Sequence, residues 1–143
     1  EATELLLVEL GRSASLTWPR MLLLSCHGGN AETVGRAVTR LRAEGRDVRA
    51  WYPRWGGDAH AGHTETSIMA ALWPERVDAT LVAVGVTEPL DDLLPRLRRE
   101  GVAPVSRNGV LGDATTADAD HGKRLLAEEL AALTAFVSDW PSA

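Results

Sequence analysis

Residues Met21 to Asn30, which read Met-Leu-Leu-Leu-Ser-Cys-His-Gly-Gly-Asn, decide the fold class of this chain. An apolar run of strand length ends here in a histidine, two glycines and an asparagine. Pro19 before the run and the Gly-Gly pair after it favour a buried strand over a helix. A strand that ends in polar residues is typical of an α/β sheet whose carboxyl edge carries a site.

The segments on either side of this strand have regular patterns of their own. Ala2 to Ser15 predicts a helix, and its apolar residues on several sides predict burial all round. Asn30 is a good N-cap. It begins a second helix whose apolar stripe is Val34, Ala37, Val38 and Leu41. Asp47 to Tyr52 alternates between apolar and polar residues and predicts a second strand, with Trp51 and Tyr52 in the core.

The alternation of helices and strands continues towards the C-terminus. Thr64–Trp73 predicts a short helix, and Ala79–Val86 predicts a third strand. Thr87 is the predicted cap of a helix that has Pro89 at its first position. The longest predicted helix is Ala117–Val137, with Leu126, Leu130, Leu133 and Val137 facing the core. The order of elements predicts an α/β fold, with a mostly parallel sheet flanked by helices, in one domain.

Composition narrows the class of partner. The chain has 143 residues, of which 45% are hydrophobic and 24% charged, which is ordinary for one globular domain. A net charge of -5 offers no support for a nucleic acid or an anionic membrane as partner. The single cysteine, Cys26, excludes an internal disulfide framework and fits a reducing, cytoplasmic compartment. We interpret Cys26 as a small, buried residue at the strand end rather than as a nucleophile.

Two stretches hold residues that carry chemistry. His27 follows the strand directly, and Gly28 and Gly29 allow a tight turn and a close approach to a bound group. A neutral imidazole is a common ligand of zinc-like ions. The second stretch, Asp58 to Ser67, reads Asp-Ala-His-Ala-Gly-His-Thr-Glu-Thr-Ser. Its acid at 65 falls near a helix start, where an acid is favoured in any case.

The remaining polar and aromatic candidates are weaker. We interpret His63 as a solvent-facing loop residue and His121 as a solvated surface residue. Trp55 lies in a glycine-rich loop beside Asp58, and it is a candidate for lining a substrate pocket.

The two motifs together resemble those of a known family. Cys-His-Gly-Gly-Asn at 26–30 and the stretch Asp58–Ser67 are similar to the hallmark sequences of the creatininase (creatinine amidohydrolase) family. Asn-Gly-Val-Leu-Gly-Asp-Ala-Thr at 108–115 is similar to a later segment of that family, with Ala114 in place of proline. Within the family, residues 12–20 and the run from Val105 to Asp113 look most like the branch that serves mycofactocin maturation. That branch trims the C-terminal dipeptide from a ribosomally made precursor peptide.

The resemblance implies a creatininase-type fold and a hydrolase with two divalent metal ions, zinc, iron or manganese. It implies that His27 and Glu65 are metal ligands. It also implies that His60, oriented by Asp58, is either the general acid/base or the group that stabilises the tetrahedral intermediate. It also implies that Asn30 braces the glycine loop of Gly28 and Gly29, which would lie against the substrate. By analogy with the family we expect a homo-oligomer.

The chain departs from the family pattern at two places. Ser25-Cys26 stands where the family has Asn-Gly. No Glu-x-His-Gly-x-His motif precedes His27, so we expect this sequence to be the C-terminal part of the domain. Three functions remain open: a metal-dependent peptidase acting on a precursor peptide, a hydrolase of small cyclic amides or formamides, and a truncated, non-catalytic subunit.

Overall fold

The computed structural model of the chain describes residues Glu1–Pro141. The chain divides into two compact units: unit 1 holds Glu1–Arg54 together with the residues from Ala135 onward, and unit 2 holds Trp55–Thr134. The regular elements, in chain order, are α1 (Ala2–Ala14), β1 (Arg20–Leu24), α2 (Ala31–Ala43), β2 (Asp47–Trp51), α3 (His63–Leu72), α4 (Leu90–Glu100) and α5 (Ala119–Ser138). None of these helices is long and apolar enough to cross a membrane.

Unit 1 is built on a two-stranded parallel sheet. β1 and β2 pair from Arg20 opposite Asp47 to Leu24 opposite Trp51. The core of the unit consists of Val8, Ala37, Leu41 and Val48, each at most 1% exposed. Burial of a Val or Leu side chain contributes about 1.5–3 kcal/mol. The predicted α/β class with a parallel sheet is therefore confirmed.

Helix α2 follows its predicted pattern closely. Val34, Ala37 and Leu41 of the predicted stripe are buried. Asn30 occupies the N-cap position, although its side chain makes no capping hydrogen bond. Gly45, just after the helix, has φ = +82°, a backbone conformation that glycine adopts without strain.

The residues after position 134 complete the packing of unit 1. The ring of Trp51 lies 5.1 Å from that of Phe136. Trp140 is buried, and its indole Nε1 donates a hydrogen bond of 2.8 Å to Asp47. Tyr52 is half-buried, which raises the pKa of its phenol, and its hydroxyl donates to the carbonyl oxygen of Ala31 at 3.2 Å. Trp51 and Tyr52, which were expected in the core, are thus only partly buried.

Three predictions about buried faces and strands are wrong. Helix α1 is not buried all round, because Leu6 is 66% exposed while Val8 is fully buried. Leu130 and Val137 of α5 are exposed rather than in the core. Ala79–Val86 does not form a strand, and only an isolated antiparallel bridge joins Val84 to Asp113. An alternating pattern fixes which face of a segment is apolar, but a strand also requires a partner along its length.

The start of α4 differs from the prediction by a few residues. Its N-cap is Pro89 rather than Thr87, and the first helical residue is Leu90. Pro95 lies inside the helix, as the sequence requires, and Leu93 is its buried residue. The helix ends at Glu100, and its C-cap, Gly101, has φ = +78°.

Candidate active site

His27 lies where β1 has ended, at the exposed end of the unit 1 strand. Its backbone is extended (φ -114°, ψ 117°), and a short 3₁₀ turn over Gly28–Asn30 follows at once. The turn is closed by the amide of Asn30, which donates to the carbonyl oxygen of His27 at 3.0 Å. The exposed imidazole is therefore carried on a tight turn just past the strand, as the sequence predicts.

The two glycines after His27 have different roles. A Cβ atom on Gly29 would lie 2.6 Å from Nε2 of His27, whereas a Cβ on Gly28 would meet nothing within 4 Å. Gly29 is needed because the imidazole occupies the space of its missing side chain. Cys26, which the sequence placed in the interior, is exposed, since the chain has already left the sheet at this point.

Asp58 secures the start of α3 in unit 2. Its carboxylate accepts hydrogen bonds from the backbone amides of His63 and Thr64, the latter at 3.1 Å. Unpaired amides at a helix start favour such an acceptor. A Cβ on Gly62 or Gly112 would overlap this carboxylate, so both glycines leave room for it. Asp58 was expected to orient His60, but here its hydrogen bonds go to the helix.

The side chain beside His60 is Glu65, in the first turn of α3. Nδ1 of His60 lies 3.2 Å from Oε2 of Glu65, and the same oxygen accepts from the amide of Ala61 at 2.6 Å. Glu65 therefore points back towards the residues before its helix, as the sequence predicts. Ala61 has φ = +51°, which is rare for a residue other than glycine and marks a locally strained turn.

This pair has a clear chemical capacity. A carboxylate at Nδ1 selects the tautomer that carries its proton there and fixes the orientation of the ring. Nε2 of His60 is then the nitrogen available to accept or give a proton. Both side chains are about half exposed, 51% for His60 and 45% for Glu65, so a substrate has access to them.

The segment after Asn108 supports the backbone that carries His60. Leu111, which is 4% exposed, forms an antiparallel bridge with His60. Its amide donates to the carbonyl oxygen of His60 at 2.8 Å, and its own carbonyl oxygen accepts from the amides of Ala59 and His60. The motif at 58–67 and the later segment at 108–115 are thus one structural assembly.

Two histidines that sequence reasoning set aside lie together in this unit. The rings of His63 and His121 are 4.8 Å apart between centroids, and Nδ1 of His63 lies 3.0 Å from Oγ1 of Thr116. Both histidines are partly buried, and His63 is the first residue of α3 rather than a loop residue, so the predictions for His63 and for His121 are both wrong. Asp118 accepts from the amide of His121 as the cap of α5. The spacing of an aspartate three residues before that position was the only available sequence signal.

Ser67, the last residue of the second motif, has a structural role. It is fully buried, and its hydroxyl oxygen accepts from the amide of Asp118 at 2.9 Å. A Cβ on Gly122 would overlap the carbonyl group of Ser67. The motif therefore anchors the start of α5 as well as the start of α3. The amides of Asp120 and His121, in that order of effect, lower the pKa of Asp118.

A cavity of about 400 Å³ lies beside Glu65 in unit 2. A second cavity of about 370 Å³ adjoins it and shares lining residues such as Val77 and Val82. Trp55, which the sequence suggested as a pocket residue, is half-buried and lines neither of these two cavities.

The described residues do not form a metal centre by themselves. Within Glu1–Pro141, no three His, Cys, Asp or Glu side chains converge as a group that could hold an ion. The imidazole of His27 and the carboxylate of Glu65 are donors of the right chemical type. However, they belong to different units, and neither unit completes a ligand set around its own candidate.

A family model and individual relatives both match the chain over nearly all of its length. The model of the creatininase family, described as creatinine amidohydrolase, matches residues 1–137. A mycofactocin precursor peptide peptidase of Mycobacterium ulcerans is 48% identical over 142 residues, which is 98% of this chain and 56% of that protein. The protein of the same name from Mycolicibacterium smegmatis is 47% identical over 141 residues, 97% of this chain and 57% of that protein. The chain thus spans little more than half the length of these relatives. No solved structure matches it.

Proposed function

Because the chain belongs to the creatininase family, we propose that it carries part of the active site of a hydrolase that cleaves an amide or peptide bond. We further propose that its two units belong to a single creatininase-type domain. The observation that carries the proposal is the pairing of His60 with Glu65 at the start of α3. It supplies an oriented, accessible imidazole next to a cavity.

The proposed substrate is the mycofactocin precursor peptide, trimmed by removal of its C-terminal dipeptide. Relatives with the name mycofactocin precursor peptide peptidase are 47–48% identical to this chain over nearly all of its length. Identity at that level, over a stretch that includes both candidate motifs, supports the same substrate here.

His60 is proposed to move the proton in this reaction. An amine is a poor leaving group until its nitrogen is protonated, so amide cleavage needs an acid at that atom. Nε2 of His60 would deliver the proton, while Oε2 of Glu65 holds Nδ1. Asp58 contributes indirectly, because it caps the helix that carries Glu65.

The family is generally metal-dependent. We propose two divalent ions, zinc, iron or manganese, with His27 and Glu65 among their ligands. Gly28, Gly29 and Asn30 would present the turn that carries His27 to the substrate. We also propose a cytoplasmic homo-oligomer. The uncovered apolar side chains of α1, among them Leu6 and Leu10, support a partner surface.

The test is peptide cleavage by the whole protein supplied with each of the three metals, with products identified by mass spectrometry. We expect His60→Asn to retain bound metal and to lose turnover by at least about a hundredfold, the usual contribution of a positioned acid/base group. Glu65→Gln should lower the metal content as well. His121→Asn and Glu75→Gln are the matched controls, because they make the same changes away from the His60–Glu65 pair.

Two outcomes would contradict the proposal. Full activity in both His60→Asn and Glu65→Gln would remove the proposed site. Hydrolysis of creatinine or a formamide, with the precursor peptide left intact, would replace the proposed substrate by a small amide.

A further inference from the structure

We propose that the larger cavity of unit 2 is a specificity pocket that receives an apolar side chain of the substrate next to the scissile amide. This inference rests on the proposed function, because it takes the His60–Glu65 pair as the place of cleavage. It names a part of the site beyond the His60–Glu65 pair, since half of the wall comes from residues 76–83.

The position of the cavity is the first argument. Its wall includes Glu65 and Ala61. The carboxylate of Glu65 also contacts Nδ1 of His60. A substrate amide held at His60 would therefore present an adjoining side chain to the mouth of this cavity.

The wall itself is the second argument. It is mostly apolar, with Met69, Leu81, Val82 and Val110 among its residues. Its volume of about 400 Å³ falls in the range of about 300–1,000 Å³ typical of small-ligand sites. Leu81 is 77% exposed, so a guest side chain would remove apolar surface from water that the described fold leaves uncovered.

The charges around the cavity are the third argument. Its ionisable lining residues are Glu65, Arg76 and Asp78. The Asp78 carboxylate accepts hydrogen bonds from the hydroxyl and amide of Thr80, which lower its pKa and keep it ionised. The guanidinium of Arg76 lies over the ring of Trp73, 5.6 Å from its centroid. Asp78 balances Arg76 and Glu65 adds no positive charge, so the lining offers an acidic guest no net attraction and the pocket favours an apolar side chain.

The test places a charge at the mouth of the cavity. In the whole enzyme, Leu81→Asp should raise the KM for a peptide with an apolar residue after the cleaved bond by about tenfold or more, with a smaller change in kcat. Leu130→Asp is the matched control, since Leu130 is a leucine of similar exposure that does not line the cavity. Leu81→Lys should instead narrow the difference in KM between apolar and acidic peptides. Met69→Trp, which fills the cavity, should weaken binding of the apolar peptide, and so raise its KM, without adding a charge.

A binding measurement separates this inference from the proposed function. Ligand-detected NMR should show leucyl-leucine binding to the wild-type protein more tightly than glutamyl-glutamate, with the preference lost in Leu81→Asp and kept in Leu130→Asp. Binding with that pattern but no peptide cleavage would contradict the proposed function and support the pocket. Normal cleavage with an unchanged KM in Leu81→Asp and Met69→Trp would overturn the pocket. Absence of both cleavage and binding would overturn both.

Discussion

His27 in unit 1 and His60 in unit 2 each precede a turn of small and polar residues, yet the structure secures them by different means. The backbone of His60 is bridged to the buried Leu111, and its ring is held by Glu65. The carbonyl of His27 accepts from the amide of Asn30 and from the hydroxyl of Ser25 at 3.4 Å, and its ring rests over Gly29. Unit 2 therefore secures its histidine through a long-range backbone bridge as well as the nearby Glu65, whereas unit 1 secures its histidine through neighbours in sequence.

This difference has a consequence for each side chain. A long-range bridge and a carboxylate at Nδ1 fix an imidazole in one orientation before substrate arrives, which suits a group that moves a proton. An exposed imidazole on a short turn is free to adjust, and it gains a fixed position when a bound group holds it. The contrast supports the acid/base role proposed for His60 and the ligand role proposed for His27.

The largest effect is expected where a glycine supports the unit 2 assembly. Gly112 has φ = +150°, and a Cβ there would overlap the Asp58 carboxylate. Gly112→Ala should therefore lower the free energy of unfolding by about 3 kcal/mol, through overpacking and loss of the Asp58 cap. Urea denaturation followed by circular dichroism measures this change.

The control for that variant is in unit 1. A Cβ at Gly28 meets nothing, so Gly28→Ala should change the free energy of unfolding by less than about 0.5 kcal/mol. Equal destabilisation by Gly112→Ala and Gly28→Ala would show that the backbone is equally constrained at the two glycines, and would contradict the difference between the two units.

An intermediate effect is expected at Gly29, on activity rather than on stability. A Cβ at this position would displace the imidazole of His27 by its contact with Nε2. Because misplacing a functional group by about 1 Å costs up to a hundredfold in rate, Gly29→Ala should reduce peptide cleavage by about ten- to a hundredfold. Urea unfolding should remain as in the wild type. Unchanged cleavage in Gly29→Ala would mean that the orientation of His27 does not matter to the reaction.

The sequence was sufficient for features that neighbouring residues determine. Helix α2 has a cap position, an apolar stripe and a terminal glycine within 16 residues, and all three were predicted. Glu65 was expected to point back from its helix start, and it does so because Ala61 is one turn away. The α/β class followed from the alternation of such local patterns.

Features that depend on distant partners were missed. Ser67 accepts from the amide of Asp118, and His63 stacks on His121, across more than 50 residues in each case. No periodicity or cap signal relates positions so far apart. The alternating segment Ala79–Val86 failed as a strand for the same reason. Its only bridge partner in the described structure, Asp113, lies in a short segment that pairs with it at one position.

The smallest effect is expected from acid, and it too differs between the units. In unit 1, a hydrogen bond from Arg12 lowers the pKa of Glu44 below its ordinary value of 4.5. In unit 2, the amides of Asp120 and His121 lower the pKa of Asp118 below 3.8. A carboxyl group with a lowered pKa stabilises the fold at pH values above its unfolded pKa, and that contribution is lost as the pH falls through the folded pKa. Both contributions to the free energy of unfolding should therefore be present at pH 6. The contribution of Glu44 should decline below about pH 4.5, and that of Asp118 below about pH 3.8.

Salt distinguishes the two contributions, because screening weakens an exposed ion pair more than a helix cap. The acid response is the fall in the urea midpoint between pH 6 and pH 3. Glu44→Gln should remove the part of this fall that depends on salt. Asp118→Asn should remove a part that 0.5 M NaCl leaves in place, and Glu75→Gln should leave the response unchanged. If Asp118→Asn removed the salt-sensitive part instead, the start of α5 would be held by the charge of Arg124, 3.9 Å from Asp118, rather than by its backbone cap.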